Sequence, residues 1–196
     1  MVYFYQTEAD NGSCYSIILG KDKFENDALI KFGYKELNYV WFHADRYSSG
    51  HVYLKLLENE KDLRDVPREV VNVCLQLCKS KSIQGNKLPQ CTIIGTPWTN
   101  LRKSGAMKPG EVSFKSTRRI QKFECHGRDS KLLGRLDKTR VELLRENMLA
   151  AAKKSKEYGF FNDYIAENRD ALVKEEHERK AAKKAKKKVE PETDGS

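Results

Sequence analysis

Short segments rich in tyrosine, isoleucine and valine recur through the first 125 residues and are separated by turn sequences. Segments 2–6 and 14–19 flank an Asn11-Gly12 step, which is typical of the turn in a β-hairpin. The same composition predicts further strands at 39–44, 51–56, 91–96, 112–114 and 120–125. Because short turns join neighbouring segments, the pattern predicts a largely antiparallel sheet.

Two short helices are predicted between these strands. Asp22 and Glu25 have the spacing of a capping box, so a helix over 23–32 is expected to end at Gly33. Pro67 suits the first turn of a second helix. The apolar residues of that helix recur at i, i+4, i+7 and i+8, as Val70, Cys74, Leu77 and Cys78. The predicted fold class is therefore α+β, with a mostly antiparallel sheet and short packing helices.

From residue 129 the spacing of leucines becomes helical, from Leu132 to Leu144 and on to Met148. This pattern predicts a helix that is interrupted near Gly159, followed by a second helix. After Val173 the only apolar residues before Val189 are alanines, so this part is expected to project into solvent or to form on binding. We divide the chain into an α+β domain (1–126), a helical basic extension (127–188) and a disordered acidic tail (189–196).

Positive charge is concentrated in two blocks of the chain, whose net charge is +9. Residues 102–140 contain 12 basic and 4 acidic side chains, and residues 174–188 contain 8 and 3, whereas residues 1–101 contain 12 of each. Such blocks favour a polyanionic partner, because each neutralised phosphate releases counterions. For residues 174–188, a lysine-rich stretch that is merely solvated explains the composition about as well.

Several classes of protein and of site are not expected. No run approaches the roughly 18–20 apolar residues of a membrane span. The first residues lack the features of a signal peptide, so a cytoplasmic or nuclear location is expected. The five cysteines lack the spacing of metal ligands, so reduced thiols without a metal or other cofactor are predicted.

Segment 41–51 contains two histidines, an aspartate and two serines among aromatic and basic residues. The segment contains some of the groups required for a hydrolytic triad or for a two-histidine metal site. No oxyanion-hole sequence accompanies them, so we expect no enzyme. His43 and His51 either brace the turn or contact nucleotides, and Trp41 lies either in the core or on the surface. In the nucleotide-binding interpretation, which we prefer, Arg46 and Lys55 reach phosphates.

Two further segments contain candidate phosphate-binding residues. Lys21 follows Gly20 at a predicted helix start, where backbone amides could hold an anion, although an ordinary capped helix explains it equally well. Beyond Trp98, a turn-rich segment contains Arg102, Lys103, Lys108, Arg118, Arg119 and Lys122. Basic residues mixed with aromatic and Gly/Pro residues suit irregular or single-stranded RNA.

Taken in order, these segments resemble the NFACT-R domain. The matching pieces are Gly20-Lys21-Asp22, Asn26-Asp27, Trp41-Phe42-His43, Gly50-His51-Val52, Arg102-Lys103 and Lys108-Pro109-Gly110. With its basic helical extension, the chain resembles the coiled-coil domain-containing protein 25 family, in particular its stand-alone fungal members. Ser48-Ser49-Gly50-His51 departs from the Pro-Gly-Ser-His of many members.

The resemblance implies RNA binding, with site residues at Lys21, Asn26, Trp41, His43, His51, Arg102 and Lys103. Larger NFACT proteins act in ribosome-associated quality control and contact tRNA and the large ribosomal subunit. The N-terminal NFACT domain is absent, so recruitment of tRNA for tailing stalled chains is not implied. We therefore expect a non-catalytic protein that binds tRNA or rRNA. The alternatives are an adaptor that docks through its C-terminal helices and a DNA-binding module; the oligomeric state is open.

Overall fold

A computed structural model of the chain describes residues 1–31, 38–144, 146–147 and 160–189. The strands are β1 (Val2–Glu8), β2 (Cys14–Gly20), β3 (Tyr39–Ala44), β4 (His51–Lys55), β5 (Cys91–Pro97), β6 (Leu101–Arg102), β7 (Ser113–Phe114), β8 (Gln121–Cys125) and β9 (Val141–Leu143). The helices are α1 (Lys23–Lys31), α2 (Arg68–Ser80), α3 (Ser130–Asp137) and α4 (Phe160–Val189).

Within the described residues, seven strands form one sheet in the order β8-β5-β3-β4-β2-β1-β9, and every neighbouring pair is antiparallel. β6 and β7 form a separate two-stranded ribbon. The β1–β2 hairpin turns at Gly12, whose φ of +84° is the left-handed conformation that the Asn-Gly step predicts. The predicted α+β class with a mostly antiparallel sheet is confirmed.

Each face of the sheet packs against its own layer. On one face lie α2 and α3, and the predicted apolar residues of α2, from Val70 to Cys78, are fully buried there. On the other face lie α1 through Leu29, the β6–β7 ribbon through Leu101, and α4 through Ile165 and Leu172. The second face carries the candidate nucleic-acid site, because a cleft opens there between the start of α1 and the loop at Pro109-Gly110.

The continuous helix predicted from residue 129 is wrong. α3 ends at Asp137, and β9 then pairs with β1 through Val2↔Leu143 and Phe4↔Val141. Val141 and Leu143 alternate as strand residues, and they satisfy the backbone of an otherwise open sheet edge, which outweighs the leucine spacing. The sheet thus continues past residue 126; the proposed domain boundary itself stays a prediction. Met148 and the proposed tail from residue 190 lie outside the described residues.

α4 is attached to the sheet through charged side chains as well as apolar ones. Glu176, which is 6% exposed, accepts a hydrogen bond from Arg140 at 2.6 Å and also pairs with Lys180. Arg179 lies 3.5 Å from Glu142 on β9. The helix therefore does not project into solvent directly after Val173; only residues 181–189 are exposed throughout. Counting apolar residues missed these contacts because long charged side chains also bury their stems.

Among the described residues, no helix is both long enough and apolar enough to cross a membrane. This finding agrees with the absence of a long apolar run in the sequence. The long helix α4 is rich in alanine and charged residues rather than in large apolar ones, and such residues favour a helix in water.

Replacing Glu176 with Gln should weaken the attachment of α4. The change removes the acceptor charge facing Arg140 and Lys180, at a cost of about 2 kcal/mol in the free energy of unfolding. Thermal unfolding should shift to lower temperature, and trypsin should cleave α4 faster. Glu178→Gln is the matched control. Glu178 is 66% exposed, and its distance of 4.0 Å from Lys174 makes that ion pair a weak one. Equal behaviour of the two variants would show that Glu176 does not hold the helix.

Candidate nucleic-acid interface

The register of the sheet aligns five residues in a row across the second face. Gly20 pairs with His51, His43 pairs with Ile94, and Ile94 pairs with Lys122. Since Phe42 pairs with Val52, the next pair along β3 and β4 is His43 with His51, whose ring centroids are 5.2 Å apart. Cross-strand neighbours point to the same side of a sheet, so the two histidines and Lys122 share one face.

The start of α1 forms one wall of the site and is closed by its own side chains. Asp22 accepts hydrogen bonds from the backbone amides of Phe24 and Glu25 at 2.8 and 2.9 Å. Glu25 accepts from the amides of Lys21 and Asp22, both at 3.1 Å. This capping box, which the sequence predicted, occupies four of the amides at the helix start. The lysine side chains are therefore the main groups left here to hold a phosphate.

Asn26 joins α1 to the strands below it. Its side chain is 4% exposed and accepts a hydrogen bond from the backbone amide of His51 at 3.3 Å. A Cβ atom on Gly20 would lie only 2.1 Å from Asn26 Oδ1, so this position needs a glycine. A Cβ on Gly50 would be crowded too, although less severely, at 2.8 Å from Leu19 and 2.9 Å from the Gly20 carbonyl oxygen. The two glycines thus let the helix and the β3–β4 turn meet over the start of β4.

Trp41 and His51 are core residues of the site. Each is 2% exposed. The Trp41 ring stacks parallel to His43 at 5.5 Å and meets the edge of His51 at 5.3 Å, while Phe114 of the ribbon lies 5.6 Å away. Burial leaves no surface on Trp41 or His51 for stacking on a base. A role for Trp41 and His51 in nucleic-acid binding stays a prediction. In this geometry, that role would be to support the exposed residues of the site.

Both histidines are neutral in this environment. Burial lowers the pKa of His43, although a hydrogen bond between its Nδ1 and the Ala44 carbonyl, at 2.6 Å, partly opposes the shift. The pKa of His51 lies well below its usual value, first because of burial and then because of His43 and Lys103 nearby. Two buried polar atoms in this cluster, His51 Nδ1 and Trp41 Nε1, have no hydrogen-bond partner among the described residues.

Lys103 is a structural brace. Its ammonium group pairs with Asp27 at 2.6 Å and donates to the carbonyls of Lys108 and Glu111 at 2.6 and 2.9 Å. Asp27 also accepts from the amide of Gly110 at 3.3 Å, so the loop after β6 is tied to α1. With 11% of its side chain exposed, Lys103 has its donors engaged within the protein.

Lys55 is also predicted to contact nucleic acid, but it is 6% exposed, and burial lowers its pKa. The charges of Asp163 and Glu58 oppose that shift. Asn26, Trp41, His51, Lys55 and Lys103 therefore lie below the surface, whereas the other predicted cations are exposed. Those cations are Lys21, Arg46, Arg102, Lys108, Arg118, Arg119 and Lys122.

A cleft of about 490 Å³ opens above the histidine pair, and we call it the histidine cleft. It lies between the start of α1, the turn at residues 48–50, the loop at Pro109-Gly110 and the segment that follows α2. Lys21, Lys23 and Lys81 line it with positive charge, and Ile83, which is 82% exposed, adds apolar surface.

The sequence analysis missed Lys23, Lys81 and Ile83, as well as Phe24, which is 51% exposed beside Lys23. Lys23 and Phe24 stand next to a predicted site residue, so their neighbourhood was a usable signal. Lys81 and Ile83 come from a distant part of the chain, and no local pattern marks them. Arg46 and Lys122 lie apart from the cleft, in a depression where Lys122 is 3.6 Å from Asp45.

The groups required for a hydrolytic triad are not assembled in the described site. The Ser49 hydroxyl accepts from the Ala44 amide and donates to the Gly50 carbonyl, both at 3.1 Å, so it serves the turn. All five cysteines are free thiols. Burial raises the pKa of Cys78 to about 12. Within the described residues, no cluster of histidine, cysteine and carboxylate side chains has the geometry of a metal site.

The cleft thus lies on one face of a single seven-stranded antiparallel sheet that is covered on both sides. The family described as "NFACT protein RNA binding domain" matches residues 1–116, which is more than half of the chain. The chain belongs to this family of NFACT-R domains, as its motifs indicated.

Relatives that match most of the chain specify the group further. Protein JLP2 of Saccharomyces cerevisiae is 62% identical over 191 residues, covering 96% of this chain and 92% of that protein. Coiled-coil domain-containing protein 25 of Bos taurus is 36% identical over 180 residues, covering 92% and 84%. The Dictyostelium discoideum homolog is 39% identical over 150 residues, covering 74% and 70%. The chain is thus a member of the coiled-coil domain-containing protein 25 family.

Among solved structures that share the fold is the C-terminal part of the fibronectin/fibrinogen-binding protein from Streptococcus suis, with a TM-score of 0.53 and 20% sequence identity. The match covers 67% of this chain and 48% of that one, so the chain spans about half the length of that structure. At this identity the likeness concerns the fold alone.

The stability of the protein should fall as the pH drops below about 6.5, the ordinary pKa of histidine. The folded-state pKa of His51 is lowered, so the unfolded chain binds the proton more readily, and the free energy of unfolding decreases as pH falls. Between pH 7.5 and 5.5 the loss from His51 should be about 1.4 kcal/mol. Urea unfolding at both pH values measures it.

His51→Phe should flatten this dependence on pH, leaving the part due to His43. His126→Phe is the control, because His126 is exposed, and it should keep the full dependence. An identical pH dependence in His51→Phe and the unaltered protein would show that His51 is not a neutral buried ring.

Proposed function

We propose that the chain binds RNA, without catalysis, through the sheet face that carries the histidine cleft and the segment 102–122. The observation that carries the proposal is the charge of this segment: it contains seven basic residues and one acidic residue, Glu111. Six of the seven basic side chains are exposed, since only Lys103 is engaged in the brace to Asp27. Membership of a family of RNA-binding domains supports the same function.

The arrangement of these cations suits an irregular RNA surface. Arg118 and Arg119 lie on a short 3-10 turn at Thr117–Arg119, and Thr96 holds that turn through a hydrogen bond to the Arg119 carbonyl at 2.9 Å. Asn100 fixes the start of the same turn through bonds to Ser116, the residue before it, at 2.9 and 3.0 Å. Cations on braced turns keep fixed positions, so they can match a particular phosphate path without reading base sequence.

Charge reversal of Arg118 and Arg119 to Glu should weaken RNA binding and reduce its dependence on salt. Each phosphate that the protein no longer neutralises lowers the slope of log affinity against log salt by roughly 0.7–0.9, so the double variant should lower it by about 1.5. Fluorescence anisotropy with a labelled RNA at several salt concentrations measures both quantities. Lys131→Glu is the matched control: it is an exposed cation on α3, which packs on the opposite face of the sheet.

If the Arg118/Arg119 variant binds as tightly as the Lys131 control, this segment does not contact RNA. Lys103 is unsuitable for such a test, because reversing its charge would break the brace to Asp27 and disturb the loop itself. Arg102, which is exposed beside it on β6, is the appropriate substitute.

We further propose that the natural target is tRNA or rRNA and that the protein works with the ribosome in translation quality control, in the cytoplasm or alternatively the nucleus. This assignment rests on the family resemblance. Crosslinking of the tagged protein in cells, followed by sequencing of the attached RNA and mapping of the peptides, tests it. Discrete tRNA or rRNA positions joined to residues 41–51, 81–83 or 102–122 are the expected result.

The adaptor alternative is favoured by one observation: residues 181–189 of α4 are exposed along their whole length. Sparse, sequence-random crosslinks confined to α4 would therefore support an adaptor that docks through this helix. A truncation that tests the adaptor function should begin after Lys180, because Glu176 and Arg179 belong to the attachment of α4. Equal binding of RNA and DNA competitors would instead favour a DNA-binding module.

A further inference from the structure

Strand β8 forms one edge of the seven-stranded sheet, and its outer side pairs with no strand in the described part of the chain. The Thr92 carbonyl on β5 accepts a hydrogen bond from the amide of Asp45 at 3.0 Å, so Thr92 faces β3. Because successive residues of a strand bond to opposite sides, the neighbours of Thr92 face β8 and bond to the residues opposite them. Between those residues of β8, Lys122 and Glu124 turn their amides and carbonyls outward.

An open edge of this kind can pair with a strand of another molecule. Only residues whose backbone groups point outward form the hydrogen-bonded pairs of an antiparallel ladder. If β8 meets β8 of a second copy, Lys122 can therefore stand opposite Lys122, Glu124 opposite Glu124, or Lys122 opposite Glu124. The first two arrangements oppose like charges. The third contains two opposite-charge pairs, which a two-fold axis relates to each other.

The third arrangement places Phe123 at the two-fold axis. Phe123 points to the face of the sheet that α2 covers, where its half-buried ring lies 6.3 Å from the ring of Phe42. In the new ladder it takes a position without hydrogen bonds, where opposing side chains approach most closely. The Phe123 rings of the two copies thus meet across the axis, beside a groove of about 1010 Å³ that runs between β8 and α2.

The charged side chains of β8 are available for pairing with a second copy. Lys122 is 68% exposed, and its contact with Asp45 at 3.6 Å is a weak surface ion pair. Glu124 is exposed, and its hydrogen bonds within the described structure come from neutral groups, the Thr92 hydroxyl at 2.6 Å and the Gln90 amide at 2.9 Å. Charges on an edge strand usually prevent pairing with other chains. Here the two signs exclude most strands but match β8 of a second copy.

We propose that two copies of this chain associate through β8, with each Lys122 opposite the Glu124 of the other copy and the two Phe123 side chains at the axis. The two sheets then form one continuous sheet. The axis of such a pair is perpendicular to the sheet, so both histidine clefts open on the same side. The strand is short and the interface small, so we expect a reversible dimer with a micromolar dissociation constant. Association of this kind does not require RNA.

Sedimentation equilibrium of the full chain, at concentrations from about 1 to about 500 µM, measures the association. Lys122→Glu opposes two carboxylates in both pairs and should raise the dissociation constant about tenfold. Glu124→Lys opposes two ammonium groups and should have the same effect. The double variant Lys122→Glu/Glu124→Lys restores both opposite-charge pairs, so its dissociation constant should return to that of the unaltered protein. Thermal unfolding checks the fold of each variant.

Lys138→Glu is the matched control for these charge changes. Lys138 is an exposed cation just before β9, which lies at the opposite edge of the sheet from β8. This variant should associate as the unaltered protein does.

Hydrogen exchange of the unaltered protein, followed residue by residue with NMR, tests the register without a substitution. The amides of Lys122 and Glu124 should exchange more slowly as the protein concentration rises, because the second copy supplies their acceptors. The amide of Phe123 is bonded to β5 and should be protected at every concentration.

A monomer at every concentration would overturn the proposed pairing. A dimer that the single charge reversals leave intact would also overturn it, since the copies would then associate through another surface. Failure of the double variant to restore the dimer would exclude this register. Recovery in the double variant, together with concentration-dependent protection at Lys122 and Glu124, is the result expected.

Discussion

The contact between Asn26 and Gly20 is the constraint on which the site depends. The helix can approach the strands only because Gly20 has no side chain, and the Asn26 carbonyl oxygen then reaches the amide of His51. This contact sets the height of α1 above the sheet. Asp27, the next residue, is thereby placed to hold Lys103 and the loop around Gly110. One close approach thus positions three walls of the cleft.

The exposed surface of the histidine cleft and the aromatic cluster buried beneath it have different roles in the site. Trp41, His43 and His51 pack against one another, and the β6–β7 ribbon packs on Trp41 through Phe114. Their neutral rings contribute no charge to the site. The positive charge comes from lysines and arginines on the surrounding loops and turns, which the buried cluster holds in place.

The local patterns of the sequence predicted much of this fold. The Asn11-Gly12 turn, the capping box at Asp22 and the apolar face of α2 all appear in the structure, because each depends on residues close together in the chain. Long-range pairing was not predictable in the same way. β9 forms because the edge of β1 is available to it, and α4 attaches through ion pairs that no periodicity reveals. The candidate site shows the same division: Lys21, which lies within a motif, was found, whereas the buried role of Lys103 and the contribution of Lys81 depend on contacts across the fold.

The attachment of α4 has a consequence for how the behaviour of this protein in salt should be interpreted. The ion pairs of Glu176 and Arg179 are partly accessible to solvent, so dissolved ions weaken them just as they weaken contacts with a polyanion. A rise in ionic strength therefore acts on the ligand and on the helix at once. The steepness of a salt titration counts released counterions only if the protein keeps one shape throughout. For this chain, the slope would also include the loosening of α4 from the sheet.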